Sequence, residues 1–364
     1  MILNSTLKET IYSATIFDLK IPKNYIELKN LVNSNTYLEI SDEIESQLEE
    51  LIKLRTPSKK YNSNEFSIEI EKILNGTPIK EYGNWVHYPW INKLVHVLGE
   101  KEFIEVRTNR NKNKITQLEQ DKLKTKKIGI IGLSVGKSIA TAIAMERICG
   151  ELVLADFDII ELSNLNRIQT GIHNFGVNKT TVVAREIAEI DPYLKVTCFN
   201  DGLTKDNAND FFTKNGKLDI CVEVCDGLYT KIFSREKAKE FGIPVVMDTN
   251  DRGMIDVERF DLEPDKGLFH GFIDHLNLDD INEKSTPQEK VPFINSIIGK
   301  DTMSNKLKES MCEIGKSITS WPQLASSVIL GGAVTCNVCR RILLNEFKNS
   351  GRYFVDINEI IKND

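Results

Sequence analysis

The sequence lacks several things, and each absence removes a class of function. No apolar run approaches the ~18 residues of a membrane span. The N-terminus, MILNSTLKETIYSA, has neither the charged start nor the apolar core of a secretory signal. No long basic tract is present and the formal charge is −6, so nothing points to a nucleic-acid partner. Cysteine is limited to seven residues, an odd number without a regular framework, which suits a reducing cytoplasm rather than a disulfide scaffold. Cys336 and Cys339 form a C-x-x-C pair with no second pair beside it, and a structural zinc site of the four-thiolate kind needs two. Internal repeats and low-complexity segments are absent. With 41% hydrophobic residues in 364, the chain can bury one large core or two modest ones.

What is present is organised around residues 127–167. Ile128 to Ile131 form a β-branched run of the kind that makes a buried parallel strand. A glycine turn follows, Gly132-Leu133-Ser134-Val135-Gly136, and then an Ala/Ile-rich helix to Ile148. A second apolar run, Leu152 to Ala155, closes on Asp156. This βαβ unit presents backbone N–H groups and a helix N-terminus to anything anionic at the strand ends. Asp156 stands where a dinucleotide fold places the carboxylate that holds a ribose hydroxyl. The turn departs from G-x-G-x-x-G, because Ser134 and Lys137 occupy two of the glycine positions. A P-loop would need glycine at position 131, which is Ile. Lys137 is either a cation for phosphate or an exposed lysine in the first turn of a helix.

Before this unit, Ser41 is placed to cap a helix through Leu54, and Phe66 to Leu74 suggest another. The aromatic string GNWVHYPW, Gly83 to Trp90, reads as a packing cluster rather than a ligand platform, and His87 goes with it. After the unit, helices alternate with apolar strands. Val177–Ile190 is helical, Leu194–Phe199 a strand, and Thr204 caps a helix through Phe212. Leu218–Val224 is a strand, a helix from Tyr229 ends at Gly242, and Ile243–Met247 is the next strand. Such alternation predicts an α/β, doubly wound, Rossmann-like and mainly parallel sheet. From Asp248 a turn and strand pair follow, 270–320 reads as loop-rich, and Gln323–Phe347 as a largely buried helix. The expected division is an N-terminal accessory α-rich domain, 1–105, and an α/β domain, 106–364.

One string is far more specific: D-F-D-x-x-E-L-S-N-L-N-R from Asp156 to Arg167, then Gly176-Val177-Asn178-Lys179, then Asp226 behind the fourth strand. On these residues, over about 105–260, the chain resembles the ThiF/MoeB/HesA family, whose adenylating fold is shared with the ubiquitin-activating enzymes. WVHYPW, RTNRNKNKIT, GLSVGKS and WPQLASSVILGGA resemble a branch of that family often fused to a nitroreductase-like domain.

The resemblance implies ATP and Mg²⁺, with attack of a substrate carboxylate on the α-phosphate to give an acyl adenylate and pyrophosphate. It places Asp156 on the ribose, Arg167 and Lys179 on the triphosphate, and Asp226 on the magnesium. Gly132, Ser134, Gly136, Asp158 and Asn164 complete the implied nucleotide-contact set. Arg110 occupies the second arginine of an R-x-N-R that acts across a homodimer interface. The implied partners are a carboxylate-bearing small molecule, a peptide or a small carrier protein. Gly227 replaces the family's usual asparagine, and neither Cys225 nor Cys312 stands where a thioester-forming cysteine is expected. Two other readings stay open from the residues alone: a nucleotide-binding scaffold that serves a partner enzyme, and an NAD(P)-binding oxidoreductase.

Overall fold

The computed structural model describes residues 11–299 and 302–362. The chain divides into two compact units, one made of Met1–Leu118 and Arg185–Leu194, the other of Glu119–Ala184 and Lys195–Asp364.

The first unit carries β1 (Thr15–Phe17), α1 (Pro22–Ser34), β2 (Glu39–Asp42), α2 (Ile44–Arg55), α3 (Ser63–Leu74), β3 (Asn84–Tyr88), β4 (Lys93–Val97) and α4 (Glu100–Arg107). Helices outweigh strands, as expected, but a four-stranded sheet of order β1-β3-β4-β2 runs through it. Ser41 belongs to β2 and caps nothing; the residue before α2 is Glu43. Helix α3 begins one turn earlier than its apolar residues suggest, because Asn62 and Glu65 form a reciprocal capping box. The aromatic string is strand β3. Trp85 stacks on His96 at 4.2 Å, and His96 is held by Asp42 and by the Tyr82 carbonyl at 2.7 and 2.6 Å. This is a packing role, and burial holds the His87 imidazole below its ordinary pKa. Arg185–Leu194 groups with this unit, where Asp191 pairs with Arg107 at 2.9 Å.

The remaining elements are α5 (Gln117–Leu123), β5 (Lys127–Ile131), α6 (Gly136–Glu146), β6 (Glu151–Ala155), α7 (Lys179–Ile190), β7 (Lys195–Phe199), α8 (Ala208–Thr213), β8 (Ile220–Glu223), α9 (Leu228–Glu240), β9 (Val245–Asp248), β10 (Met254–Glu258), α10 (Pro287–Ile298), α11 (Asn305–Glu313), α12 (Ala325–Leu343), β11 (Gly351–Phe354) and α13 (Ile357–Ile360). The sheet order is β11-β10-β9-β8-β5-β6-β7. Five neighbours from β9 to β7 are parallel, while β10 and β11 are antiparallel. Phe211, Phe212, Leu228 and Ile232 of α8 and α9 pack into the main core. Helix α12 packs on α6 and over β9 and β10. The doubly wound expectation holds. Two local expectations do not. Asn207, not Thr204, precedes α8, and the two residues bond each other's backbone instead. Residues 270–320 hold α10 and α11, opened by Thr286 and Ser304 caps.

The core of this unit contains charge. Arg235 of α9 is fully buried and donates to Glu223 at 2.6 Å and to Glu258 at 2.5 Å, with the Phe269 ring 4.0 Å away. Glu258 also accepts the Phe269 N–H. Next to it, Asp256 accepts from His270 at 2.9 Å and from Arg352 at 2.6 Å. Burial alone would raise the Glu223 carboxyl, but Lys231 and Arg235 outweigh it and hold that pKa low. Removing one partner from such a set leaves the others buried without a counter-charge. Arg235→Met is therefore expected to lower unfolding free energy by about 3–5 kcal/mol in urea denaturation. A loss below ~1 kcal/mol would mean that the site relaxes without the ion pairs.

Candidate active site

All the predicted site residues except Arg110 lie in the second unit. Strand β5 ends at Gly132, which has a φ of +89° and donates to the Ala155 carbonyl at 2.9 Å. A Cβ here would sit 2.8 Å from the Cys225 backbone, so the approach of the β8 turn requires glycine. Gly136 opens α6 under similar pressure: a Cβ would come within 2.9 Å of the Ile130 side chain. No side chain caps α6, which leaves its first N–H groups without an intrahelical partner. Lys137 is buried, not exposed, and its ammonium donates to the Gln169 carbonyl at 2.5 Å.

Asp156, at the end of β6, ties the loops together. One carboxylate oxygen accepts the Leu133 N–H at 2.6 Å and the other accepts the Asp158 N–H at 2.8 Å. Burial raises its pKa against the opposing field of Lys179. Lys179, at the start of α7, is itself buried and pairs with Asp158 at 2.8 Å. Asn164 is a structural clasp, accepting the Glu161 N–H at 3.0 Å within a short 3₁₀ turn. Arg167 leaves that turn and reaches back to the glycine loop, donating from Nε to the Ser134 hydroxyl at 2.9 Å. It also donates to the Ser163 carbonyl and the Asn166 side chain. Burial lowers the guanidinium pKa, and the field of Asp226 opposes that. The fold thus brings Arg167 into the field of Asp226 across 58 intervening positions of sequence.

Asp226 lies in the turn between β8 and α9. Its side chain is exposed and makes no hydrogen bond or ion pair among the described residues. It does not cap α9, whose N-cap is Gly227. The turn is held from beneath: Glu223 accepts the Cys225 N–H at 2.9 Å and Lys231 at 3.0 Å. Burial pushes the Cys225 thiol far above its ordinary pKa, so it is no ready nucleophile. Cys336 and Cys339 are buried in α12 with thiols raised by burial. Arg110 lies exposed in the first unit, on the 3₁₀ turn Asn109–Asn111.

Sequence reasoning passed over Asp248. It ends β9, the strand beside β8, and is buried. One oxygen accepts the Asn250 N–H at 2.9 Å; the other has no hydrogen-bond partner among the described residues. Burial pushes its pKa up to about 6. The available signal was the recurrence of an aspartate at the end of consecutive strands, VEVCD and VVMD.

A match to the ThiF family covers residues 108–299, just over half of the chain. The uncharacterized protein MT1398 of Mycobacterium tuberculosis is 41% identical over 280 residues, which are 77% of this chain and 39% of that protein. The tRNA threonylcarbamoyladenosine dehydratase 2 of Saccharomyces cerevisiae is 27% identical over 40% of this chain and 33% of its own. The chain therefore spans well under half the length of these relatives. Among solved structures, the E. coli tRNA threonylcarbamoyladenosine dehydratase TcdA aligns over 66% of this chain and 95% of its own, with 17% identity and a TM-score of 0.47. E. coli MccB with ATP aligns over 83% and 81%, with 16% identity and a TM-score of 0.45.

The Asp248 carboxyl yields a pH prediction. Its pKa stands near 6 folded against an ordinary 3.8. Below the lower value both states are protonated and the shift has no effect. Between the two, the folded state keeps a proton that the unfolded state has lost, so stability falls as pH rises. Above pH 6 the full penalty applies, about 3 kcal/mol for a shift of roughly two units. Asp248→Asn removes this titration, so the variant should gain on the wild type between pH 4 and 7, read from urea midpoints. A stability difference that stays constant over that range would contradict the assignment.

Proposed function

The chain belongs to the ThiF family, and on that premise we propose that it activates a substrate carboxylate by ATP-dependent adenylation. A carboxylate oxygen bonds to the α-phosphorus of ATP, the bond from that phosphorus to the bridging oxygen breaks, and pyrophosphate leaves. The single observation that supports this most is Asp226: an exposed carboxylate without a protein partner, within the field of the half-buried Arg167, at the ligand edge of a parallel sheet.

The residues divide the work. The Gly132 and Leu133 N–H groups are already bonded, and those of Ser134 to Gly136, where the turn opens α6, suit phosphate oxygens. Arg167 is pre-positioned by Ser134 and offers a guanidinium to charge that grows on the leaving pyrophosphate. Lys179 is held by Asp158 until a phosphate competes for it. Asp156 keeps the two loops in register and keeps its oxygens beside the ribose position. Asp226 is an exposed hard oxygen ligand, which fits a Mg²⁺ that otherwise takes phosphates and water. Bound there, the ion would neutralise phosphate charge.

Arg110 completes the site from a second subunit in this reading. Phe157, Leu162 and Ile172, apolar side chains left exposed on the segment after β6, are the surface a homodimer would cover. The protein would work in the cytoplasm on a small molecule, a peptide or a carrier protein. One observation favours a second reading, the scaffold: Arg167 and Lys179 are both engaged by protein groups.

Asp226→Asn separates the two. Capping is not at stake, since Gly227 precedes the helix. Loss of a contact made in the transition state costs about 3 kcal/mol or more, over a hundredfold in rate. Pyrophosphate exchange should fall by at least that factor while the melting curve stays put; undiminished exchange removes Asp226 from the mechanism. Arg110→Ala should lower exchange without unfolding, because an exposed arginine contributes little to stability. Mixing it with Asp226→Ala protein should restore part of the activity. No recovery between subunits shown to exchange would place Arg110 outside the partner's site.

A further inference from the structure

Three buried polar atoms have no hydrogen-bond partner among the described residues and lie on elements that pack against one another, β9, the turn after it and α12: one carboxylate oxygen of Asp248, the side-chain oxygen of Asn250, and the hydroxyl of Thr335. Asp248 is the last residue of β9, which pairs with β8 through Cys221↔Val245 and Val222↔Val246. Continued by two residues, that register puts Asp248 level with Val224, just before Asp226. Adjacent strands lie about 4.8 Å apart. Asp248 is thus one strand along the ligand edge from the carboxylate assigned to Mg²⁺.

The surroundings are built to keep this oxygen bare. Gly331 of α12 faces it, and any Cβ there would overlap the carboxylate oxygen. Thr335 follows Gly331 by one helical turn on the same face of α12. Lys231, whose charge acts on Asp248, is bonded to both oxygens of Glu223, at 3.0 and 3.2 Å. The turn after β9 holds Asn250 and Arg252 at φ of +60° and +56°, left-handed backbone that Asn takes readily and Arg seldom does. Asn250 thereby donates its N–H to one Asp248 oxygen and leaves the other alone.

Two of the three atoms only accept hydrogen bonds, a carboxylate oxygen and an amide oxygen. The group that complements them must donate and is best cationic. A primary ammonium has three donors and a full positive charge. We propose that Asp248, with Asn250 and Thr335, binds a primary ammonium on the substrate, so that the carboxylate activated here belongs to a small amino acid. This deepens the adenylation reading and rests on it. A peptide C-terminus or a carrier protein has no free ammonium beside its carboxylate, and both are excluded as substrates. The oxygen is sealed in the resting chain, so admission of the ammonium requires the packing around it to open.

The test is ATP–pyrophosphate exchange by the full chain at pH 7.5 with each of the twenty standard amino acids. Each is compared with its des-amino counterpart, such as asparagine against succinamate. At least one amino acid should support exchange, and its counterpart should fall by about a hundredfold or more, as sites built for polar groups reject analogues that lack them. Asp248→Asn should raise KM for the amino acid by a similar factor while leaving KM for ATP in place, and Thr335→Val should raise it less. Equal exchange with des-amino acids or N-blocked peptides overturns the inference and leaves adenylation standing. If no carboxylate supports exchange, the adenylation reading falls. Calorimetry with the same amino acids then decides the site: binding lost in Asp248→Asn upholds the ammonium pocket, and binding absent or indifferent to that change overturns it.

Discussion

Both oxygens of the Asp156 carboxylate are committed to backbone N–H groups, one from the glycine turn and one from the segment after β6. The glycine turn and the segment after β6 depend on this pair of hydrogen bonds. The turn cannot hold its own shape, because Gly132 lies in the left-handed region and its neighbours carry no side-chain cap. Asp156 fixes it to the next strand. It also fixes Asp158, whose side chain then reaches Lys179 at the start of α7. One carboxylate therefore sets the spacing of three separate segments. Its burial is tolerated because those donors and the Lys179 field offset much of the desolvation.

The other half of the edge is anchored from inside the sheet. Glu223, deep in β8, receives the Cys225 N–H from above and Lys231 and Arg235 from the flank. The turn that carries Asp226 is therefore pinned one residue before the carboxylate it presents. Arg235 extends the anchor to Glu258 on β10, two strands further along. A buried ion pair is weak evidence for stability in itself. Its consequence here is positional. The side chain of Asp226 is exposed and unpaired, so only its backbone limits where it sits, and that backbone is tied to the most buried charges of the unit.

How much of this was legible follows from what is local. The glycine turn, the strand ending on Asp156 and the string to Arg167 are contiguous, and the alternation of helices and strands has a period that can be read directly. The Arg235 network was not legible. Glu223, Arg235 and Glu258 lie far apart in sequence, and each looks like an ordinary surface charge until the sheet order makes them neighbours. Ser41 misled because a serine before an apolar periodic run reads as a cap, while pairing of Glu39–Asp42 with β4 takes it into a strand. Arg185–Leu194 joins the first unit through contacts such as Asp191 with Arg107, which no local pattern encodes. The helices after 285 were within reach: Thr286-x-x-Glu289 is a capping box, and it was passed over in a stretch rich in proline and polar residues.

Asp226 lies in the turn after β8 and Asp248 ends β9, the neighbouring strand, yet their surroundings set them apart. The first is open to solvent. The second is enclosed by α12, and burial raises its pKa close to the working range. Two carboxylates in contrasting environments are the usual means by which one edge of a sheet supports two tasks. An exposed carboxylate suits a hydrated divalent ion, which keeps most of its water. A dry carboxylate suits a cation that must be stripped of water and recognised by shape. The enclosing helix sets this contrast through its paired glycines: Gly332 lets α12 settle on Ser138 of α6, and Gly331 lets it settle on Asp248 without touching the carboxylate with a side chain. Any other residue at 331 would put its Cβ onto the carboxylate oxygen, so the helix or the Asp248 side chain would have to shift. A buried acid left unpaired lowers the stability of the resting fold, and the close approach of Gly331 is what packs the helix against it.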